Sequence, residues 1–174
     1  MRQTIGALAV AAGFLSVAPA QAALINFNAT LTGSQEVPPT PSTGTGFSTV
    51  LLDDVADTIT VNTSFSGLTS PAIMGHIHGP APVGVNAPIL FPFTGVPNAT
   101  SGTIPTQNFT LTTTEVGQLE AGLFYVNVHS TDFPAGEIRG QLLRAAQVPE
   151  PASLGLLGLG LVGMAQVLRR RGRA

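Results

Sequence analysis

Short stretches of strict apolar/polar alternation, cut off by clusters of Pro and Gly, constrain this chain more than any other feature. Leu24–Thr32 reads LINFNATLT, with Ile25, Phe27, Ala29 and Leu31 two apart. Successive side chains of a strand point to opposite faces, so period two marks a strand with one buried face. GFSTVLLD follows, then the turn DVAD, then TITVNTSFSG with Ile59, Val61, Thr63 and Phe65 in step. AIMGHIHG, ILFPF, NFTLT, LFYVNVHS and EIRGQLL continue the series. Between them, SQEVPPTPSTGTG and HGPAPVGVNAP are too rich in Pro and Gly for strand interiors and read as loops. Only TTTEVGQLEA breaks the pattern: Thr112 with Glu115 three residues on forms a capping box and predicts one short helix. The fold class expected is all-β, an antiparallel sandwich or barrel of about eight strands with that single helix.

The two ends differ from this body. Near the N-terminus a lone Arg2 precedes an apolar run from Ile5 to Val17 and the small-x-small pattern Ala20-Gln21-Ala22. The run is too short to span a bilayer, so residues 1–22 read as a secretory signal peptide cut after Ala22, delivered to the secretion translocon. At the other end, Ala152–Leu168 carries no charge and approaches the lower limit of about 17 residues for a spanning helix. Arg169, Arg170, Arg171 and Arg173 follow it, which places them on the cytoplasmic side and the body outside. The order Pro149-Glu150-Pro151, apolar helix, arginines resembles the PEP-CTERM sorting signal of Gram-negative bacteria. The resemblance implies anchoring in the inner membrane and processing near Pro149–Pro151 by an exosortase. It also implies delivery to the cell surface or extracellular matrix, among extracellular polysaccharide or surface proteins. The flanking prolines keep Glu150 extended, the form a protease engages.

Charge and composition exclude several functions for the body. Between residues 23 and 147 there are two arginines, no lysine and eight carboxylates, which is no footprint for a phosphate backbone; nucleic acid is not an expected partner. Cysteine is absent, which removes disulfides, thiolate zinc sites and thiol nucleophiles. No Ser sits in a Gly-x-Ser-x-Gly turn, so the body reads as non-enzymatic. Asp53, Asp54 and Asp57 do not match an EF-hand loop and read as a solvated hairpin turn. The Asn-x-Ser/Thr sequons at Asn28, Asn62, Asn98 and Asn108 read as by-products of Thr-rich strands.

Polar residues nevertheless gather on one face of three strands. His76 and His78 are two apart, with Ile73 and Ile77 opposite. Tyr125, Asn127 and His129 alternate with Phe124, Val126 and Val128; Glu137, Arg139 and Gln141 alternate with Ile138 and Leu142. If these strands are neighbours, the residues form a structural hydrogen-bonded network in which Glu137 pairs with Arg139 or a histidine. The alternative is a Cu or Zn site built on His76, His78 and His129. A His-x-His strand pair plus a distant histidine is similar to the copper site of copper/zinc superoxide dismutases. The fixed charge of Arg139 on the same face counts against it, and the network, with no cofactor, is the reading we expect.

GSQEVPPTPSTGTGFSTVLLD, FSGLTSPAIMGHIHGPAPVGVNAPILFPF and LEAGLFYVNVHSTDFPAGEIRGQL resemble successive motifs of the CHRD domain, over residues 24–143. That resemblance implies a compact β-barrel or sandwich and no settled catalytic role. The chain is thus expected to be a signal peptide (1–22), a CHRD-like β domain (24–143) and a sorting segment (144–174).

Overall fold

The computed structural model describes residues 24–146. The expected signal peptide, the Pro149–Pro151 motif, the helix 152–168 and the arginine tail lie outside the described residues. Among the described residues no helix is long and apolar enough to cross a membrane.

Among the described residues, nine strands and one α-helix follow one another: β1 (Leu24–Thr32), β2 (Thr45–Asp53), β3 (Thr58–Ser66), β4 (Ala72–His78), β5 (Ile89–Pro92), β6 (Gly102–Thr110), α1 (Thr113–Glu120), β7 (Tyr125–Ser130), β8 (Ile138–Gln141) and β9 (Leu143–Arg144). Every described pairing is antiparallel, in the order β5-β4-β7-β8-β1-β2-β3-β6, with β9 continuing β8 along β1. The sheet curls into a nearly closed eight-strand barrel. Its seam, between β5 and β6, is bridged by a side chain instead of a ladder. Gln107 accepts from Thr94 N at 3.1 Å and donates to Thr94 O at 3.1 Å, while Phe91 packs on Phe109 with ring centroids 5.0 Å apart.

The interior is set by the alternation. Ile25, Phe27, Ala29 and Leu31 of β1, Val50 and Leu52 of β2, and Ile59, Val61 and Phe65 of β3 all point inward. Burying each large apolar side chain contributes about 1.5–3 kcal/mol. Ile77, Val126, Val128, Ile138 and Leu142 supply the opposite wall. Thr112 and Glu115 close the expected capping box at the start of α1, which sinks Val116 and Leu119 into the core.

Three details depart from the alternation read in the sequence. Ile73 does not share the inward side with Ile77: it is 40% exposed, because the β4–β7 register slips between Ala72 and Met74. A one-residue irregularity reverses the side on which a residue stands. The sixth strand begins at Gly102, well before Asn108, and contains Pro105. A proline is tolerated there because β6 is an edge strand and Pro105 falls where its register against β3 shifts. Finally, β7 and β8 are buried on both faces, which an open barrel wall would not be.

Candidate functional site

Both loops expected between strands fold onto the outer side of β4, β7 and β8 and account for that double burial. In register, His78 lies opposite Tyr125, which lies opposite Gln141; His76 lies opposite Asn127, which lies opposite Arg139. Their inward neighbours are the core residues, so these six stand on the outside of the barrel, each at most 8% exposed. The loop after His78 covers one side. Asn86 Oδ1 accepts from Arg139 Nη1 at 3.0 Å, Val85 O from Arg139 Nη2 at 2.7 Å, and Ala81 O from Gln141 Nε2 at 3.0 Å. Ala87 N donates to the Tyr125 hydroxyl at 3.1 Å. The loop after β1 covers the other side: Asn127 Nδ2 approaches Glu36 Oε2 at 3.5 Å, and Asn86 Nδ2 donates to Val37 O at 2.9 Å, tying the two loops together.

The histidines come together at one end of this face. His76 Nδ1 and His129 Nε2 are 3.0 Å apart, His129 Nδ1 is 3.0 Å from Pro134 O, and His78 Nδ1 is 3.0 Å from Ala87 O. A carbonyl only accepts, so His78 and His129 each carry their hydrogen on Nδ1. His129 Nε2 is then an acceptor, and His76 donates to it. His78 Nε2 is buried with no hydrogen-bond partner. Burial, first, and the neighbouring imidazoles, second, pull His76 down to about 4. Burial lowers His78 and His129 as well, against the carbonyls that favour their protonated forms. All three are neutral at pH 7.

Arg139 is on the same face, with the Tyr125 ring between it and the histidines, and its charge still helps to lower His78. Its guanidinium carbon sits 3.5 Å from the centre of the Tyr125 ring, and His78 stacks on that ring with centroids 4.9 Å apart and planes 4° apart. Since β7 runs between β4 and β8, the phenol ring separates the cation from the imidazole.

Glu137 is not with them. Gly136 precedes it at φ +132, and the carboxylate turns away from the histidine face. Its Oε1 accepts from Ser42 Oγ and from Thr69 N, each at 2.6 Å. Burial pushes Glu137 up, but the bonds from Ser130, Ser42 and Thr69 outweigh it and hold it below the usual carboxylate range. Glu137 thus pairs with neither Arg139 nor a histidine; it ties the loops before β2 and β4 to the start of β8.

The carboxylate that faces Arg139 is Glu36, which sequence reasoning passed over. It is 6% exposed, and burial raises it to about 7 against the attraction of Arg139. Together with Arg139 and Gln141 it lines a cleft of about 360 Å³ that also includes Ser34, Gln35 and Val83. Two signals pointed to it: a lone acid in a Pro-rich loop, in a chain with only 9% charged residues. The Asp53 turn is the β2–β3 hairpin, where Asp53 Oδ1 accepts from Val55 N at 3.0 Å and Ala56 N at 2.8 Å.

Residues 27–142 match the family model of the CHRD domain, and residues 147–171 match the PEP-CTERM protein-sorting motif. No curated protein and no solved structure matches the chain.

Proposed function

This chain belongs to the CHRD-domain family and carries a PEP-CTERM sorting motif, and from that premise we propose that it is a non-enzymatic surface protein whose β domain binds through its loop-covered wall. The motif itself implies export, membrane anchoring before exosortase processing, and an extracellular location afterwards. The finer steps are part of the proposal: translocon delivery by residues 1–22, cleavage after Ala22, processing at Pro149-Glu150-Pro151 in a Gram-negative envelope, and residence among extracellular polysaccharide or surface proteins.

One observation carries the binding reading. Beside an open cleft, two loops hold a buried carboxylate and a buried guanidinium in place, with Arg139 bonded to Asn86 and Val85. Fixed, desolvated polar groups beside a cleft give specificity to a ligand that matches them. The imidazoles are bonded to one another and to carbonyls, with no hydroxyl nucleophile among their described partners. A non-enzymatic role fits that arrangement.

Intact-mass analysis of the protein recovered from the cell surface tests the sorting. The expected mature chain lacks residues 1–22 and the apolar helix with its arginines, and Glu150→Ala leaves the full C-terminal segment in the membrane. A surface form that retains Arg169–Arg171 would refute exosortase processing. A deletion strain with unchanged adhesion, biofilm and polysaccharide retention would refute the binding role.

A further inference from the structure

All three histidines of the chain converge from β4 and β7, and one ring nitrogen from each lies within 4.8 Å of the other two. Two of the rings are already fixed in the way metal-bound imidazoles are: Nδ1–H is given to a backbone carbonyl, Ala87 O for His78 and Pro134 O for His129, leaving Nε2 as a lone pair. The Nε2 of His78 is buried and unpartnered, an arrangement that costs stability unless something is bound there. Stacking on Tyr125 and the edge contact with His76 hold that ring in place.

We propose that His76, His78 and His129 form a site for a single copper ion. The ion takes the position of the hydrogen between His76 Nδ1 and His129 Nε2, 3.0 Å apart. His76 moves its proton to Nε2, so no proton is lost and three neutral lone pairs face the ion. Metal–nitrogen bonds of about 2.0–2.1 Å require ligand spacings of roughly 3.3–3.6 Å. The observed 3.0 Å and 4.8 Å fall on either side, so side-chain adjustments of about an ångström complete the site.

Charge selects the ion. The three ligands are neutral and buried, and Arg139 lies behind Tyr125 with its charge uncancelled by any carboxylate among the ligands. A dication there keeps its full double charge in a desolvated place; Cu(I) brings only one. Imidazoles suit copper, and of its two common ions Cu(I) carries the smaller charge into this buried place. The site does not depend on the cleft beside Glu36 or on the sorting of the chain.

Titration of the purified full chain with Cu(I) under anaerobic conditions, against a colorimetric Cu(I) chelator, tests this. One copper per chain is expected, with nitrogen-only coordination in X-ray absorption and a raised melting temperature. His78→Gln and His129→Gln are each expected to lower the apparent affinity at least about 100-fold, more than loss of an outer partner gives. Their metal-free melting curves show whether they remain folded; should they not, the wild-type stoichiometry and coordination decide. A folded wild-type chain that yields all its copper to the chelator overturns the site. So do folded variants that bind as wild type, and retention of Zn(II) in preference to copper overturns the choice of ion.

Discussion

The barrel has two unlike walls. Along β1, β2 and β3 one face is core and the other meets water: Asn28, Asn62 and Ser64 are exposed while their neighbours are buried. Along β7, β8 and the 75–78 stretch of β4 both faces are covered, the inner by Val126, Val128 and Ile138, the outer by two loops over polar side chains. The first wall needs little beyond its alternation, since its inward side is apolar apart from the bonded hydroxyl pair Ser48 and Thr63, 2.8 Å apart. The second needs each polar group to find its partner, because a buried donor or acceptor left alone costs about 1–3 kcal/mol. Substitutions on the two walls should therefore differ sharply in effect.

The largest difference is expected at Glu137. Alanine there strands Ser42 Oγ and Thr69 N, and leaves two loops without their tie to β8. A loss of about 3–5 kcal/mol is expected, enough to unfold a domain of ordinary stability near physiological temperature. Chemical denaturation checks it; a midpoint equal to wild type would mean that the second wall is no more demanding than the first.

Next comes Gly136→Ala. An added Cβ would lie 2.5 Å from Asn127 Nδ2 and 2.7 Å from Glu36 Oε1, at a φ of +132 that side chains rarely adopt. The Asn127 amide and the Glu36 carboxyl must give way and the backbone is strained at that φ, at an expected cost of about 2–4 kcal/mol. Ala placed instead at Gly84 meets nothing within 4 Å but also has positive φ, so it isolates the backbone cost alone. If the two variants melt together, the crowding at Gly136 is without energetic weight.

Glu36 offers a third comparison, by pH. Its folded value of about 7 lies above the ordinary 4.5, so the native state keeps a proton that the unfolded chain has released, and stability falls as pH rises across that interval. His76 acts oppositely: at about 4 folded against 6.5 free, the native ring stays neutral while the unfolded one gains a proton, so stability falls as pH drops from 6.5 to 4. The two slopes offset each other between about 4.5 and 6.5. Glu36→Gln removes one of them. Its stability should rise from pH 4 to 6.5, by about 2–3 kcal/mol from His76 with His78 and His129 adding in the same direction, and then level off. A wild-type and variant pair with parallel pH curves would exclude a perturbed Glu36.

The same contrast explains what could be read in the sequence. β1 and β3 were legible residue by residue, since one-sided burial writes itself as period two. The polar face of β4, β7 and β8 was legible for the same reason: His76, His78, Asn127, His129, Arg139 and Gln141 do stand together. What covers that face was not. Glu36 and Asn86 come from Pro/Gly loops that have no period, and only the folded chain brings them to Arg139. Ile73 and Glu137 depart from the alternation of their strands because a register slip and a glycine at φ +132 each break the count of two. Alternation reports which side a residue takes, and nothing about what closes over it.

The smallest effect is expected on the open wall, and it is the control for all the others. Asn62 accepts from Thr106 Oγ1 at 2.7 Å, a bond as short as that from Arg139 to Val85, yet it lies between exposed side chains of β3 and β6. Water replaces either partner at little cost, so Asn62→Ala should change stability by less than about 0.5 kcal/mol. Thr60→Ala, which removes the bond to Asn108 at 2.9 Å, should do the same, and the double variant should be additive. Distance alone makes these bonds equal to those around Arg139. Should Asn62→Ala cost as much as Gly136→Ala, hydrogen-bond length rather than desolvation would govern this barrel, and the distinction between its walls would fall.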